Sequence, residues 1–387
     1  MKIKIRDLLF FILIIGLFKI IILPKIIIQA IKIVAVSCTL VYITRKLKLR
    51  ELINSVCLWG VYIVLSTIIN YFKGYAEASN ILDSILQGLS FLSLFCMFFV
   101  YKKTNKLYRA KKILIVILWI YTIMSIITII INGKGEGSSI SYFAGNKFRT
   151  CYYMLLLVCI LYSELKAALT KSIHIAVEFW IALALSIGVA VYVKCSTAIV
   201  CVALFLVFMM LPKEVLKKLL SRKTIFLMLI VTGIVWGFLQ VILQLPVVQH
   251  VVVGVLHKDL GLTGRFAIYN ILSDIIYCNP LWGYGYGNSI IYSSTYGMIA
   301  NAQNNLMQII VDYGIIGLLL FINMFYFKLP ESNEKKINYM CIFIYLMLIA
   351  AIVEITFDFW FFVALFLSYF EGDISNKQSK IKVKGIG

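Results

Sequence analysis

The chain has 387 residues, of which 62% are hydrophobic and 14% charged, and its mean hydropathy is +0.97. A soluble domain is about 45–50% apolar and about 25% charged, so one water-soluble core cannot hide this much apolar surface; a soluble enzyme, a secreted disulfide scaffold and a disordered chain are all excluded. The formal charge of +20, from 37 Lys and Arg against 17 Asp and Glu, is read first as a membrane signal, because cytoplasmic loops of membrane proteins concentrate Lys and Arg; no nucleic-acid partner is needed to explain it.

A bilayer span needs about 20 apolar residues. In chain order the expected spans are 8–23, 26–43, 52–70, 81–101, 113–131, 151–163, 174–193, 196–211, 224–243 and 306–327. The segment 151–163 is short for a span, and 338–370 is too long for one. The latter reads as two short helices broken near Glu354–Asp358. The fold class is therefore an all-α polytopic integral membrane protein of about twelve transmembrane helices. The first apolar run follows Lys2, Lys4 and Arg6 without a small-residue cleavage site and reads as a retained span. The nine cysteines include no CxxC pair and read as small core residues. The three histidines, His174, His250 and His257, lack metal-ligand spacing, so no metal or other cofactor is expected.

Twenty-seven basic residues fall in alternating inter-span segments and eight in the opposite set, with Lys19 and Lys32 inside spans. That asymmetry places both termini in the cytoplasm. The expected organisation is nine helices over 1–243, a large external loop over 244–305, three helices over 306–370 and a cytoplasmic Lys-rich tail over 371–387. A loop of this length is usually functional. The loop at 132–150, with Lys147 and Arg149, is the next largest on that face.

Within the large loop, Thr263 reads as the N-cap of a short amphipathic helix whose first turn holds Arg265. A guanidinium there suits an anionic phosphate; it equally suits a snorkelling anchor at the interface. The run Leu281-Trp282-Gly283-Tyr284-Gly285-Tyr286-Gly287 reads as a tight turn, with Trp282, Tyr284 and Tyr286 either as platforms for sugar rings or as an interfacial aromatic belt. Gln303, Asn304 and Gln308 supply uncharged donors and acceptors, and Asp312 lies in the outer half of the following span, where a carboxylate is costly and often functional.

The order Thr263-Gly264-Arg265, then Asn279-Pro280-Leu281-Trp282-Gly283-Tyr284-Gly285-Tyr286-Gly287-Asn288, then Asp312-Tyr313-Gly314-Ile315-Ile316-Gly317 resembles the O-antigen polymerase and ligase superfamily, which includes the Wzy-type bacterial polysaccharide polymerases. Weaker echoes are Tyr142–Phe148 and Lys194–Ala198. Two positions depart from the pattern: Gln303 stands where ligases have a histidine, and Phe148 where many relatives have an asparagine.

The resemblance implies a membrane glycosyltransferase with an undecaprenyl-diphosphate-linked oligosaccharide as donor. It would make O-antigen, capsular polysaccharide or exopolysaccharide at the outer face of the bacterial cytoplasmic (inner) membrane. A flippase and a chain-length regulator are the implied partners besides the bilayer. On this reading Arg265, Asp274 and Asp312 are the catalytic candidates, with Arg149, Lys147, Lys32, Trp282, Tyr284, Gln303 and Asn304 binding substrate. Glu354 and Asp358 are further candidates for the base, and the residues do not rank the four carboxylates. A ligase acting on a non-repeat acceptor is the near alternative; a transporter of lipid-linked oligosaccharides or solutes is the alternative of another class.

Overall fold

The computed structural model describes residues 4–384 apart from 19, 134–140, 168–172, 244, 247–249, 251–264, 288–290, 294–296, 300 and 332–336. It gives backbone alone at 25, 236–237, 239–243, 265–267, 269–270, 291–293, 297–299 and 373–384. The described residues are almost entirely helical. Twelve helices coincide with the twelve expected segments: α1 (Ile5–Phe18), α2 (Lys25–Thr44), α4 (Ser55–Phe72), α5 (Ala78–Lys103), α6 (Leu107–Asn132), α7 (Lys147–Ala167), α8 (Ile173–Tyr192), α9 (Ser196–Met210), α11 (Arg222–Leu243), α13 (Asn305–Lys328), α14 (Met340–Ala350) and α15 (Phe359–Lys384). Between them lie the short helices α3 (Leu49–Leu52), α10 (Lys213–Leu219) and α12 (Arg265–Cys278), and a small hairpin, β1 (Ile291–Ser293) with β2 (Gly297–Ile299). By length and composition, seven of the described helices can cross a membrane unaided. The chain is a multi-pass membrane protein.

The outward surface is apolar, with Phe72 81% and Met210 85% exposed, as expected where lipid is the solvent. The centre is built from α7, α14 and the first half of α15. Residues of α14 such as Cys341, Phe343 and Leu346 are fully buried. The short apolar stretch at 151–163 is explained by this position. Helix α7 runs four residues beyond it at each end, and because protein rather than lipid surrounds it, polar residues at its ends find partners. Lys147 and Arg149 therefore stand in the first turn of a helix rather than in a loop.

The helices give the bundle two distinct ends. At one, Asp7 is ion-paired to Arg6 (2.9 Å) and Arg109 (3.1 Å), and Lys111 bridges Glu164 (2.5 Å) and Glu371. At the other converge the starts of α2, α5, α7, α13 and α15, the end of α4, and the segments 279–287 and 301–304. That second end is the polar site.

Candidate functional site

The core of the site is a broken helix. Gly314 has φ 66° and ψ −172° in the middle of α13, a conformation that interrupts the helical ladder and leaves backbone groups without intrahelical partners. The segment after α12 supplies those partners. The N–H of Tyr284 donates to the Val311 carbonyl (2.8 Å), and that of Gly285 donates to the Asp312 carbonyl (2.7 Å). On the far side of the break, the N–H of Ile315 donates to the Pro280 carbonyl (2.8 Å). The Tyr62 hydroxyl donates to the Tyr313 carbonyl (2.9 Å). Glycine is required here by contact as well as by φ: a Cβ on Gly283 would lie 2.5 Å from the Tyr313 nitrogen, and one on Gly314 would overlap the Leu281 carbonyl. The glycine runs of Trp282–Gly287 and Asp312–Gly317 are thus two halves of one interlock.

The same segment rests on α4 and α5. The Tyr286 N–H donates to Thr67 Oγ1 (2.9 Å), and Asn80 Nδ2 donates to the Tyr286 carbonyl (3.1 Å). Asn279 is buried; its amide donates to Asn70 Oδ1 (2.9 Å) and to the Gly283 carbonyl, and it accepts from Lys73 Nζ (3.2 Å). Trp282 stacks on Tyr62 (centroids 5.9 Å apart, planes at 15°). The Tyr284 hydroxyl donates to the Ile275 carbonyl (2.9 Å) and its ring meets Tyr75 edge-on; burial pushes its pKa up to about 12. Both aromatic side chains, expected as sugar platforms or as an interfacial belt, pack so as to hold the loop in place.

Asn304 and Asn305 close a second break, at 351–358 between α14 and α15. Asn304 Oδ1 caps α13 by accepting from the N–H groups of Leu306 (3.0 Å) and Met307 (3.1 Å), and its Nδ2 donates to the Ile352 carbonyl (3.1 Å). Asn305 Nδ2 donates to Thr356 Oγ1 (2.7 Å), and Asn305 Oδ1 accepts from the Phe357 N–H (3.2 Å). Asn304 is completely buried, which leaves it no face for a sugar. Gln303 stands beside it, partly exposed, in a left-handed backbone conformation (φ 52°). The broken region 338–370 expected from Glu354 and Asp358 is present, and non-helical backbone at this depth is tolerated because it is enclosed by protein that satisfies it.

Around these breaks gather charged groups from elements far apart in sequence. Arg149 Nη2 pairs with Asp358 Oδ2 at 2.7 Å, both side chains partly exposed, and its guanidinium lies over the Trp360 ring at 5.5 Å. Asn146 Oδ1 accepts from the Arg149 N–H (3.0 Å), fixing the first turn of α7. Lys32 is buried; its Nζ donates to Gln87 Oε1 (3.0 Å) and sits over Phe359 at 5.3 Å. The Tyr286 hydroxyl reaches the same Gln87 oxygen (3.3 Å). Burial raises the pKa of Tyr286 and the nearby charges of Asp358, Asp83 and Asp312 raise it further, while Arg149 opposes them; the phenol stays a proton donor, with Lys32, Arg149 and three carboxylates around it. Asp312 Oδ1 accepts from Gln308 Nε2 (3.0 Å), whose own oxygen accepts from the Ala302 N–H (2.8 Å).

The remaining expected residues are more peripheral or only partly described. Arg265 is the first residue of α12, but its side chain lies outside the described residues, as do Thr263 and Lys19. Asp274 is exposed on α12. Lys147 reaches toward the ring of Phe148 (5.5 Å). Sequence reasoning missed Gln29, Asp83 and Gln87, and read Tyr286 only as a sugar platform or part of an aromatic belt. The available signal was polar spacing within apolar spans, Gln29 with Lys32 and Asp83 with Gln87, which stacks each pair on one helical face.

Residues 179–322, from α8 through most of α13, match the family model described as O-Antigen ligase. Over those residues the chain is similar to the O-antigen polymerase and ligase superfamily. That match supports a membrane enzyme of glycan processing. No curated protein and no solved structure matches the chain. The matched domain contributes Asp312, Gln308 and Tyr286 to the site; Lys32, Gln87, Arg149 and Asp358 come from outside it.

Proposed function

We propose that this protein polymerises a surface polysaccharide at the outer face of the bacterial cytoplasmic membrane. A glycan chain on undecaprenyl diphosphate is transferred to the terminal sugar hydroxyl of a second lipid-linked repeat. The observation that carries the reading is convergence. The family-matched α13 brings Asp312 to the end of the bundle where Lys32 and Arg149 also stand, on a loop built around Tyr286.

In the reaction the acceptor oxygen attacks the anomeric carbon as the bond from that carbon to the diphosphate oxygen breaks. The hydroxyl proton passes to a carboxylate, and the leaving diphosphate keeps the electron pair. Asp312 serves as the base, oriented by Gln308. Arg149, Lys32 and the Arg265 of α12 meet the charge on the diphosphate, Arg149 exchanging Asp358 for the incoming phosphate. Both termini then lie in the cytoplasm, at the end held by Asp7 and Lys111, consistent with the excess of basic residues there. A flippase supplies the repeats, and a chain-length regulator is a natural partner.

The ligase reading is favoured by the description of the matched family; Gln303 in place of the ligase histidine favours polymerisation. Lipid analysis after deletion separates them. A polymerase mutant accumulates lipid-linked single repeats facing outward, whereas a ligase mutant accumulates long lipid-linked chains. Normal polymer and normal lipid intermediates in the deletion strain would remove both readings.

A further inference from the structure

We propose that Asp83 and Gln87 on α5 form the subsite for the acceptor sugar, an inference that rests on the glycan-transfer reading above. The two residues are four apart and stack on one face of the helix, one turn from each other. The protein itself fixes half of each planar group. Gln29 Nε2 donates to Asp83 Oδ1 (3.2 Å). Lys32 Nζ (3.0 Å) and the Tyr286 hydroxyl (3.3 Å) both meet Gln87 Oε1.

An ammonium has only hydrogens to offer, so the atom of Gln87 that faces Lys32 must be the oxygen, and the amide nitrogen must point the other way. Among the described residues, Asp83 Oδ2 and Gln87 Nε2 have no protein partner. Both side chains are only partly buried. What remains is an oriented acceptor and an oriented donor, one helical turn apart, in a partly desolvated site. That combination fits neighbouring hydroxyls of a pyranose, one donating to Asp83 Oδ2 and the next accepting from Gln87 Nε2. It does not fit a phosphate, which the Asp83 carboxylate repels. In the proposed reaction Arg149, which takes no part in the Asp83 and Gln87 contacts, meets the diphosphate, and Lys32 stands next to both substrates.

The test uses the full-length protein in lipid nanodiscs. The donor is a lipid-linked repeat whose accepting hydroxyl is blocked, and the acceptor is a lipid-linked single repeat, both made from the host's own intermediate. Asp83→Asn and Gln87→Ala are each expected to raise the acceptor KM about tenfold or more, while the donor KM stays within about twofold. Unchanged acceptor KM, or equal rises for donor and acceptor, overturns the subsite. Should a variant not extract as a folded protein, the wild type is titrated with monodeoxy acceptors. At least one is expected to bind about tenfold more weakly, and a series that all bind like the parent overturns the subsite. A wild type that makes no polymer from these lipids removes the proposed function and the subsite together; an active wild type with unmoved acceptor KM in the variants removes the subsite alone.

Discussion

The N–H of Gly285 donates a hydrogen bond to the carbonyl of Asp312 at 2.7 Å. The bond joins the two glycine-rich motifs of the chain across a break in a membrane helix. It also ties the backbone of Asp312, the proposed base, to the loop that carries Tyr286, so the position of Asp312 and the shape of the loop are set together.

Gly314→Ala should show that coupling. Alanine is strained at φ 66°, and its methyl would overlap the Leu281 carbonyl. A loss of about 3 kcal/mol in stability is expected from strain and displacement together, with polymer formation abolished. Thermal unfolding of the detergent-extracted protein measures the first and a product ladder the second.

Asn304→Ala should act on stability and leave recognition alone. It deletes the cap on α13 and the bond to the Ile352 carbonyl, which is worth about 2–3 kcal/mol. The melting temperature should fall by several degrees while the KM values of folded enzyme stay unchanged. A large rise in KM without a change in melting would assign Asn304 to substrate after all.

Arg149 and Asp358 should behave as a unit. Arg149→Ala removes a cation at the leaving group and is expected to slow transfer by about 10²–10³-fold. Asp358→Asn misorients the guanidinium, and the double variant should be no slower than Arg149→Ala by itself. Arg149→Lys keeps the charge but loses the planar contact over Trp360, so it should recover only part of the rate. Multiplicative losses in the double variant would show that the two act separately.

Lys32→Met replaces a buried ammonium by an apolar chain of similar length. Removing a buried charge is often neutral or stabilising, so the protein should fold and melt within about 1 kcal/mol of the parent. Transfer should still fall by about tenfold or more, because Gln87 loses the donor that orients it. Initial rates at acceptor concentrations below KM check this, and an undiminished rate would leave Lys32 a structural role only.

Arg265 opens α12, where helix N–H groups and a guanidinium can act on the same anion. Arg265→Ala is expected to raise the donor KM about tenfold and to shorten the polymer ladder on a gel. A ladder of unchanged length would remove Arg265 from the diphosphate site.

Much of the architecture was legible in the sequence because lipid imposes it. A segment that crosses a bilayer must be long, apolar and internally hydrogen-bonded, and all twelve segments read from hydropathy are helices in the structure. Even the break between α14 and α15 was announced by Glu354 and Asp358 within an otherwise apolar run. The site was only half legible. Asp312, Arg149 and Lys32 were marked as polar residues at or within apolar spans, whereas the parts that Trp282, Tyr284 and Asn304 play in holding the loop and capping a helix were not. An aromatic ring or an amide has the same chemistry for a sugar and for a neighbouring backbone, and the spacing of residues along the chain does not say which one it meets.

The sequence by itself determined that this is a multi-span membrane protein, where its helices lie, and which family motifs it carries, because hydropathy and glycine placement are local properties. Only the tertiary structure decided what those motifs do to one another. It placed the Pro280–Gly285 carbonyls and N–H groups against the break at Gly314, and it set Gln87 between Lys32 and Tyr286 although 55 and 199 positions separate them in the chain. The reason is the demand of buried backbone for partners: each unwound turn in the bundle must be satisfied by another segment, and it is this pairing across the fold that draws the charged residues into one site.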